Sequence, residues 1–172
     1  MTTTISLSNL SSNQFALKLS KTQQSIIRMI LRCTYDLSKI NVNDINCLME
    51  YLDENSRRLK SHLSENKNLA QKVQTHLDVF SFYGKSFSKA QIKAYADYSE
   101  IQKTEGEAIK ESLSLIYDKN SMKNLSNSIF KCNSDYNKIA KQLTEVLLEQ
   151  NRAIKSLNKV NSKAKKFLKT FN

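Results

Sequence analysis

The feature that most restricts the fold is an apolar heptad that runs from Met122 to Phe171 without interruption. With Met122 at position a, the a residues are Met122, Ile129, Tyr136, Leu143, Gln150, Leu157, Ala164 and Phe171. The d residues are Leu125, Cys132, Ile139, Val146, Ala153, Val160 and Phe167. Fourteen of these fifteen are apolar or aromatic, and Gln150 is the exception. This spacing gathers one stripe on one helix face, so the segment predicts a single helix of about fifty residues, ~75 Å long. Ala140, Leu147, Ile154 and Leu168 at e widen the stripe, which suits packing among several helices better than a two-stranded seam.

A second seam covers residues 44–83. One core position reads Ile45, Leu52, Leu59, Asn66, Val73 and Phe80, the other Met49, Ser56, Leu63, Ala70 and Leu77. Asn43 is the expected N-cap. Asn66 either sits buried and selects register, or shares with Ser56 a face that turns toward solvent. Shorter periodic stretches predict helices over about 13–40 (Phe15, Leu19, Ile26, Ile30, Cys33, Leu37) and 88–117 (Ala94, Tyr98, Ile101, Ala108, Ile109, Leu115). The chain has no proline and only two glycines, Gly84 and Gly106. The expected fold is therefore all-α: one domain over 1–172, an elongated antiparallel bundle of about four helices, 13–40, 44–83, 88–117 and 121–171, behind a frayed polar start at 1–12.

No apolar run approaches the roughly twenty residues that a membrane span needs. Cys33, Cys47 and Cys132 are odd in number and lie in no ligand spacing. They predict neither a disulfide framework nor a zinc site, and suit buried thiols in a reducing cytoplasm. Residues 1–20 lack the pattern of a Sec signal, although their Ser, Thr and Asn richness is compatible with a type III export signal.

The net charge of +11 is concentrated at the two ends of the sequence. Residues 1–35 hold Lys18, Lys21, Arg28 and Arg32, and residues 152–172 hold Arg152, Lys155, Lys159, Lys163, Lys165, Lys166 and Lys169, with no acid in either stretch. An up-down-up-down topology brings the start of the first helix, the turn near Gly84 and the end of the last helix to one pole. That turn carries Phe80, Phe82, Tyr83, Phe87, Tyr95 and Tyr98 among Lys85, Lys89 and Lys93. Phe82 and Lys85 lie off the seam and are expected to face outward. The other rings are expected to pack the bundle end. The final twenty or so residues outrun the third helix, so Leu157, Val160, Ala164, Phe167, Leu168 and Phe171 form a seam that the second helix, another chain or a membrane surface must cover, and association with another chain is the expected outcome.

Catalytic raw material is thin. His62 and His76 are 14 residues apart, about 21 Å along one helix, too far to share a metal. No glycine-rich phosphate loop is present. These features predict no cofactor, no metal and no small-molecule substrate. They predict a non-enzymatic helical scaffold that pairs with itself or with a helical partner. Its basic pole (Arg152, Lys155, Lys159, Lys163, Lys165, Lys166, Lys169, Lys85, Lys89 and Phe82) meets an acidic protein or an anionic membrane surface, which places the protein in the cytoplasm or peripheral to a membrane. Two alternatives are a secreted helical effector or translocation component and a non-specific nucleic-acid binder. Against the last, five arginines face 22 lysines, whereas base readout leans on arginine.

Overall fold

The computed structural model describes residues 20–131 and 135–172. Among these the protein is all-α, with five α-helices and no strand: α1 (Lys21–Leu31), α2 (Val42–Phe82), α3 (Lys89–Glu111), α4 (Lys119–Lys131) and α5 (Tyr136–Lys169). Short 3-10 turns occupy Leu37–Lys39 and Ser112–Leu115.

Every helix start is marked by a short polar side chain that captures an otherwise orphaned N–H. Ser20 and Ser88 form reciprocal capping boxes with Gln23 and Gln91. The cap of α2 is Asn41, not Asn43. Asn41 Oδ1 accepts from the N–H groups of Asn43 and Asp44, while the Asp44 carboxylate takes the Asn41 N–H at 3.0 Å. Asp118 receives the Ser121 N–H at 2.7 Å, and Asp135 receives the Lys138 N–H at 3.2 Å.

The ends are equally local. α2 closes in a Schellman motif: Lys85 N–H donates to Phe80 O, Gly84 N–H donates to Ser81 O, and Gly84 takes the left-handed φ of +61° that a glycine adopts without strain. The first helix, expected to continue to Ile40, ends at Leu31 through the same motif built on a cysteine. Cys33 sits at φ 58°, its N–H donates to Ile30 O, and the Thr34 N–H donates to Met29 O. Thr34 and Asp36 then capture nearby backbone and hydroxyl groups that helix would have used, at Met29 O and Ser38. Residues 13–19 of the expected first helix lie outside the described residues.

The chain divides into two compact units. Among the described residues, unit 1 comprises 20–58, 115–131 and 135–151, and unit 2 comprises 59–114 and 152–172. The long helices α2 and α5 contribute to each.

Unit 1 is cored by Ile27 and Ile30 of α1, Ile45, Leu48, Met49 and Leu52 of α2, Met122 and Ile129 of α4, and Ala140, Leu143 and Leu147 of α5. The single helix expected over 121–171 is here two helices. α4 stops at Lys131, α5 restarts behind Asp135, and the two run antiparallel. Leu115, just before α4, accepts a hydrogen bond from Gln150, whereas Ile129 near its end shares a cleft with Ile139. Asn, Ser and Asp in the linking sequence favour caps and turns over helix interior. The apolar heptad does not oppose the reversal, because its a and d residues bury equally well against each other.

The polar exceptions in the two seams are partners. Gln150, fully buried, donates from Nε2 to Ser56 Oγ at 3.1 Å and to Leu115 O at 2.8 Å. Ser56 Oγ also accepts the Tyr117 N–H at 3.1 Å and donates to Leu52 O at 2.8 Å. Ser56 therefore does not face solvent.

Unit 2 is three-helical. Asn66 donates to Asn161 at 2.9 Å and the His76 ring lies 4.7 Å from that of Phe171, so α2 and α5 run parallel. α3 runs against them, with Glu105 opposite Ser156 and Tyr95 opposite Phe167. Asn66 is half-buried in this contact, and Asn161 also donates to His62 O at 3.3 Å.

The seam expected to overhang is filled within unit 2. Leu157, Val160 and Phe167 are 0% exposed and Ala164 1%. Val160, Ala164 and Phe167 share a core with Leu69 and Val73 of α2 and Tyr98 of α3, against which Leu168 and Phe171 are partly buried. The folding back of α4 on α5 leaves residues 152–171 beside α3 rather than beyond it. The seam from which pairing with a second chain was expected is thus buried within its own chain.

Candidate interaction surface

α5 has one buried side and one cationic side. Arg152, Lys155, Lys159, Lys163 and Lys166 recur every three or four residues, which keeps them on one face over about 21 Å. All are exposed except Lys163, which is half-buried, and exposed Lys169 follows in the last turn.

Two of the seven cations are compensated across helices. Lys159 Nζ lies 3.6 Å from Glu105 on α3, whose other oxygen accepts the Ser156 hydroxyl at 2.7 Å. Lys165 projects to another flank and meets Glu65 on α2 at 2.5 Å. Among the described residues, Arg152, Lys155, Lys163, Lys166 and Lys169 have no carboxylate within 4 Å. Helix-dipole complementarity is confined to the last turn, so it does not account for a run of this length.

The end of unit 2 where α2 turns into α3 adds rings. Phe80 stacks on Phe87 at 4.8 Å, and Phe171 meets Phe80 edge-on at 4.9 Å and Phe167 at 5.1 Å. Gln91 donates to Thr170 O at 3.3 Å. These contacts hold the end of α5 on the turn that carries Lys85 and Lys89, both exposed. The Lys85 ammonium stands 5.8 Å from the Phe80 ring centroid and 6.0 Å from that of Tyr83, within cation–π range.

Not every ring packs inward. Phe82 is 84% exposed and Tyr83 68%, and the two meet edge-to-face at 5.2 Å. Val79, one turn before Phe82 on α2, and Ile92, on the first turn of α3, are also exposed.

The pole has fewer contributors than the sequence predicts. Arg28 and Arg32 belong to unit 1, where α1 buries Ile27 and Ile30, whereas the turn at Gly84 and the end of α5 belong to unit 2. Lys18 lies outside the described residues, as does the segment read as an export signal up to residue 19. Sequence reasoning missed the acids that neutralise Lys159 and Lys165, because Glu105 and Glu65 lie in a stretch where acids and bases balance and no local pattern distinguishes them. Tyr83 carried a readable signal, since it directly precedes the glycine that ends α2.

Elsewhere, one thiol meets the buried role expected and one does not. Cys47 is buried, and burial together with the nearby Glu50 and Asp44 carboxylates raises its pKa to about 11. Cys33 is exposed, a correction to the buried role expected for it, because the left-handed turn carries it off the apolar face. Cys132 lies outside the described residues. His76 Nδ1 is 2.8 Å from Lys72 O, and His62 is 4.0 Å from Glu65. No three His, Cys, Asp or Glu residues converge to hold a metal among the described residues. An apolar cleft of about 280 Å³ separates α4 from α5, bounded by Leu125, Ile129, Ile139 and Val146. No helix among the described residues is long and apolar enough to cross a membrane.

No family model, curated protein or solved structure matches the chain.

Proposed function

We propose that the protein is a non-enzymatic helical binding module that holds an anionic partner surface through unit 2. The observation that carries this reading is the uncompensated cationic face of α5, which ends on a pole of exposed rings and lysines. Each cation placed against an anionic surface adds a screened attraction of about 1 kcal/mol, so five or six acting together give appreciable, salt-sensitive binding. Nothing in this mechanism uses a nucleophile, a cofactor or a metal. It also needs no helical partner chain, because the seam of α5 is occupied inside unit 2.

The test is binding across a salt series to anionic vesicles, to an acidic polypeptide and to duplex DNA. A triple variant with Lys155, Lys163 and Lys166 changed to Glu is compared with one in which Lys123, Lys138 and Lys141 are changed to Glu. All three control lysines lie in unit 1 and are exposed, so both variants carry the same net charge. Loss of binding in the first and retention in the second supports the reading. Equal loss in both reduces it to net charge. Nucleic acid is the second reading, favoured by the regular spacing of the cations along α5, and it predicts a steep linear fall of log affinity with log salt.

A further inference from the structure

We propose that the anionic partner is a phospholipid bilayer, and that Phe82 and Tyr83 at the α2–α3 turn enter its headgroup region. This rests on the anionic-surface reading above and names its partner. Unit 2 has a ring cluster at this same end, built from Phe80, Phe87, Phe167 and Phe171. Phe82 and Tyr83 are left outside it, as the two most exposed large apolar side chains among the described residues. The Schellman turn at Gly84 holds them at the end of α2, with Val79 one turn behind Phe82 and Ile92 on the first turn of α3.

The surroundings are mainly basic, with the exposed Asp78 one turn behind Phe82 as the nearest acid along α2. No acid occurs between Asp78 and Asp97, and none follows Glu149, while Lys85, Lys89, Lys93, Lys166 and Lys169 lie in these stretches. Apolar tips rimmed by cations match the layering of an anionic leaflet, with phosphates outermost and hydrocarbon beneath. The ring geometry separates lipid from nucleic acid. Phe82 and Tyr83 stand at 89° to each other, so both cannot stack on successive parallel bases, whereas an interface accepts aromatic rings in any orientation. An acidic protein would require a complementary pocket, which a bilayer does not.

The chain contains no tryptophan, so Phe82→Trp introduces a single reporter. Its emission is recorded with phosphatidylcholine vesicles with and without phosphatidylserine, and with brominated acyl chains as quencher. Leu113→Trp is the control: Leu113 is 65% exposed in the same unit but lies beyond the far end of α3, about 35 Å along its axis. The expected result is a blue shift and bromolipid quenching in the Phe82→Trp variant on anionic vesicles only, with the emission of the Leu113→Trp variant unchanged. Phe82→Asp, which alters an exposed residue and leaves the thermal melt in place, is expected to lower vesicle affinity about tenfold. Vesicle binding by the Phe82→Trp variant with unshifted, unquenched emission overturns insertion and leaves the anionic-surface reading standing. Binding to DNA or acidic polypeptide without vesicle binding overturns the lipid assignment alone. Binding to none of the three overturns both.

Discussion

Replacing Phe167 with Ala tests whether the C-terminal seam is closed by its own chain. Phe167 is fully buried, its ring centroid is 5.4 Å from that of Tyr95 and 5.1 Å from that of Phe171, and it shares a core with Val73, Tyr98 and Val160. Burying an aromatic side chain removes roughly 150–250 Å² from water, and at about 25 cal/mol per Å² this amounts to about 4–6 kcal/mol. Alanine keeps a small part of that burial and partial collapse recovers more, so the expected loss is about 3–5 kcal/mol. With a urea slope of about 2 kcal/mol per M, the midpoint falls by about 1.5–2.5 M. The assay is urea unfolding followed by circular dichroism, at two protein concentrations tenfold apart, for the parent chain and the variant. An intramolecular seam gives midpoints independent of concentration. A seam shared with a second copy makes the parent more stable by about 1.4 kcal/mol for each tenfold rise in concentration. A concentration-dependent midpoint, or a loss below about 1 kcal/mol, would refute the packing described for unit 2.

Three further outcomes follow from the geometry. Gln150→Ala and Ser56→Ala should each cost about 1–3 kcal/mol by leaving buried partners without their hydrogen bonds, and the double variant should show a coupling of about 0.5–1.5 kcal/mol; additivity would mean that the Gln150–Ser56 contact is not made. Cys33→Gly should raise stability by about 1 kcal/mol, because glycine accepts the φ of 58° without the Cβ clash; a loss of stability would place Cys33 in another conformation. In mass-mapped alkylation at pH 8, Cys33 should label readily. Cys47 should resist, because its raised pKa of about 11 leaves on the order of one thiol in a thousand ionised, and burial blocks access to that. Rapid labelling of Cys47 in the folded chain would contradict its burial.

The basic pole was partly readable in the sequence. Lysines at b, c, f and g of an a/d/e-patterned helix must point away from whatever covers the stripe, and the glycine after Tyr83 marked where α2 turns. Two facts that decide its strength were not readable. Glu105 and Glu65 neutralise Lys159 and Lys165 across helices, through pairs 54 and 100 residues apart in the chain. The length of α5 available to a partner depended on the reversal between α4 and α5, which the unbroken heptad concealed.

The sequence by itself determined the helical class, the inward face of each long helix, and the run of seven cations without an acid at the end. These are properties of one helix at a time, set by a period of 3.6 residues. Only the tertiary structure decided that α4 folds back on α5, that Gln150 and Ser56 satisfy each other, and that the seam from Leu157 to Phe171 is closed by α2 and α3. The physical reason is that apolar burial has no direction: a stripe specifies that it must be covered, and the path of the chain selects which stripe covers it.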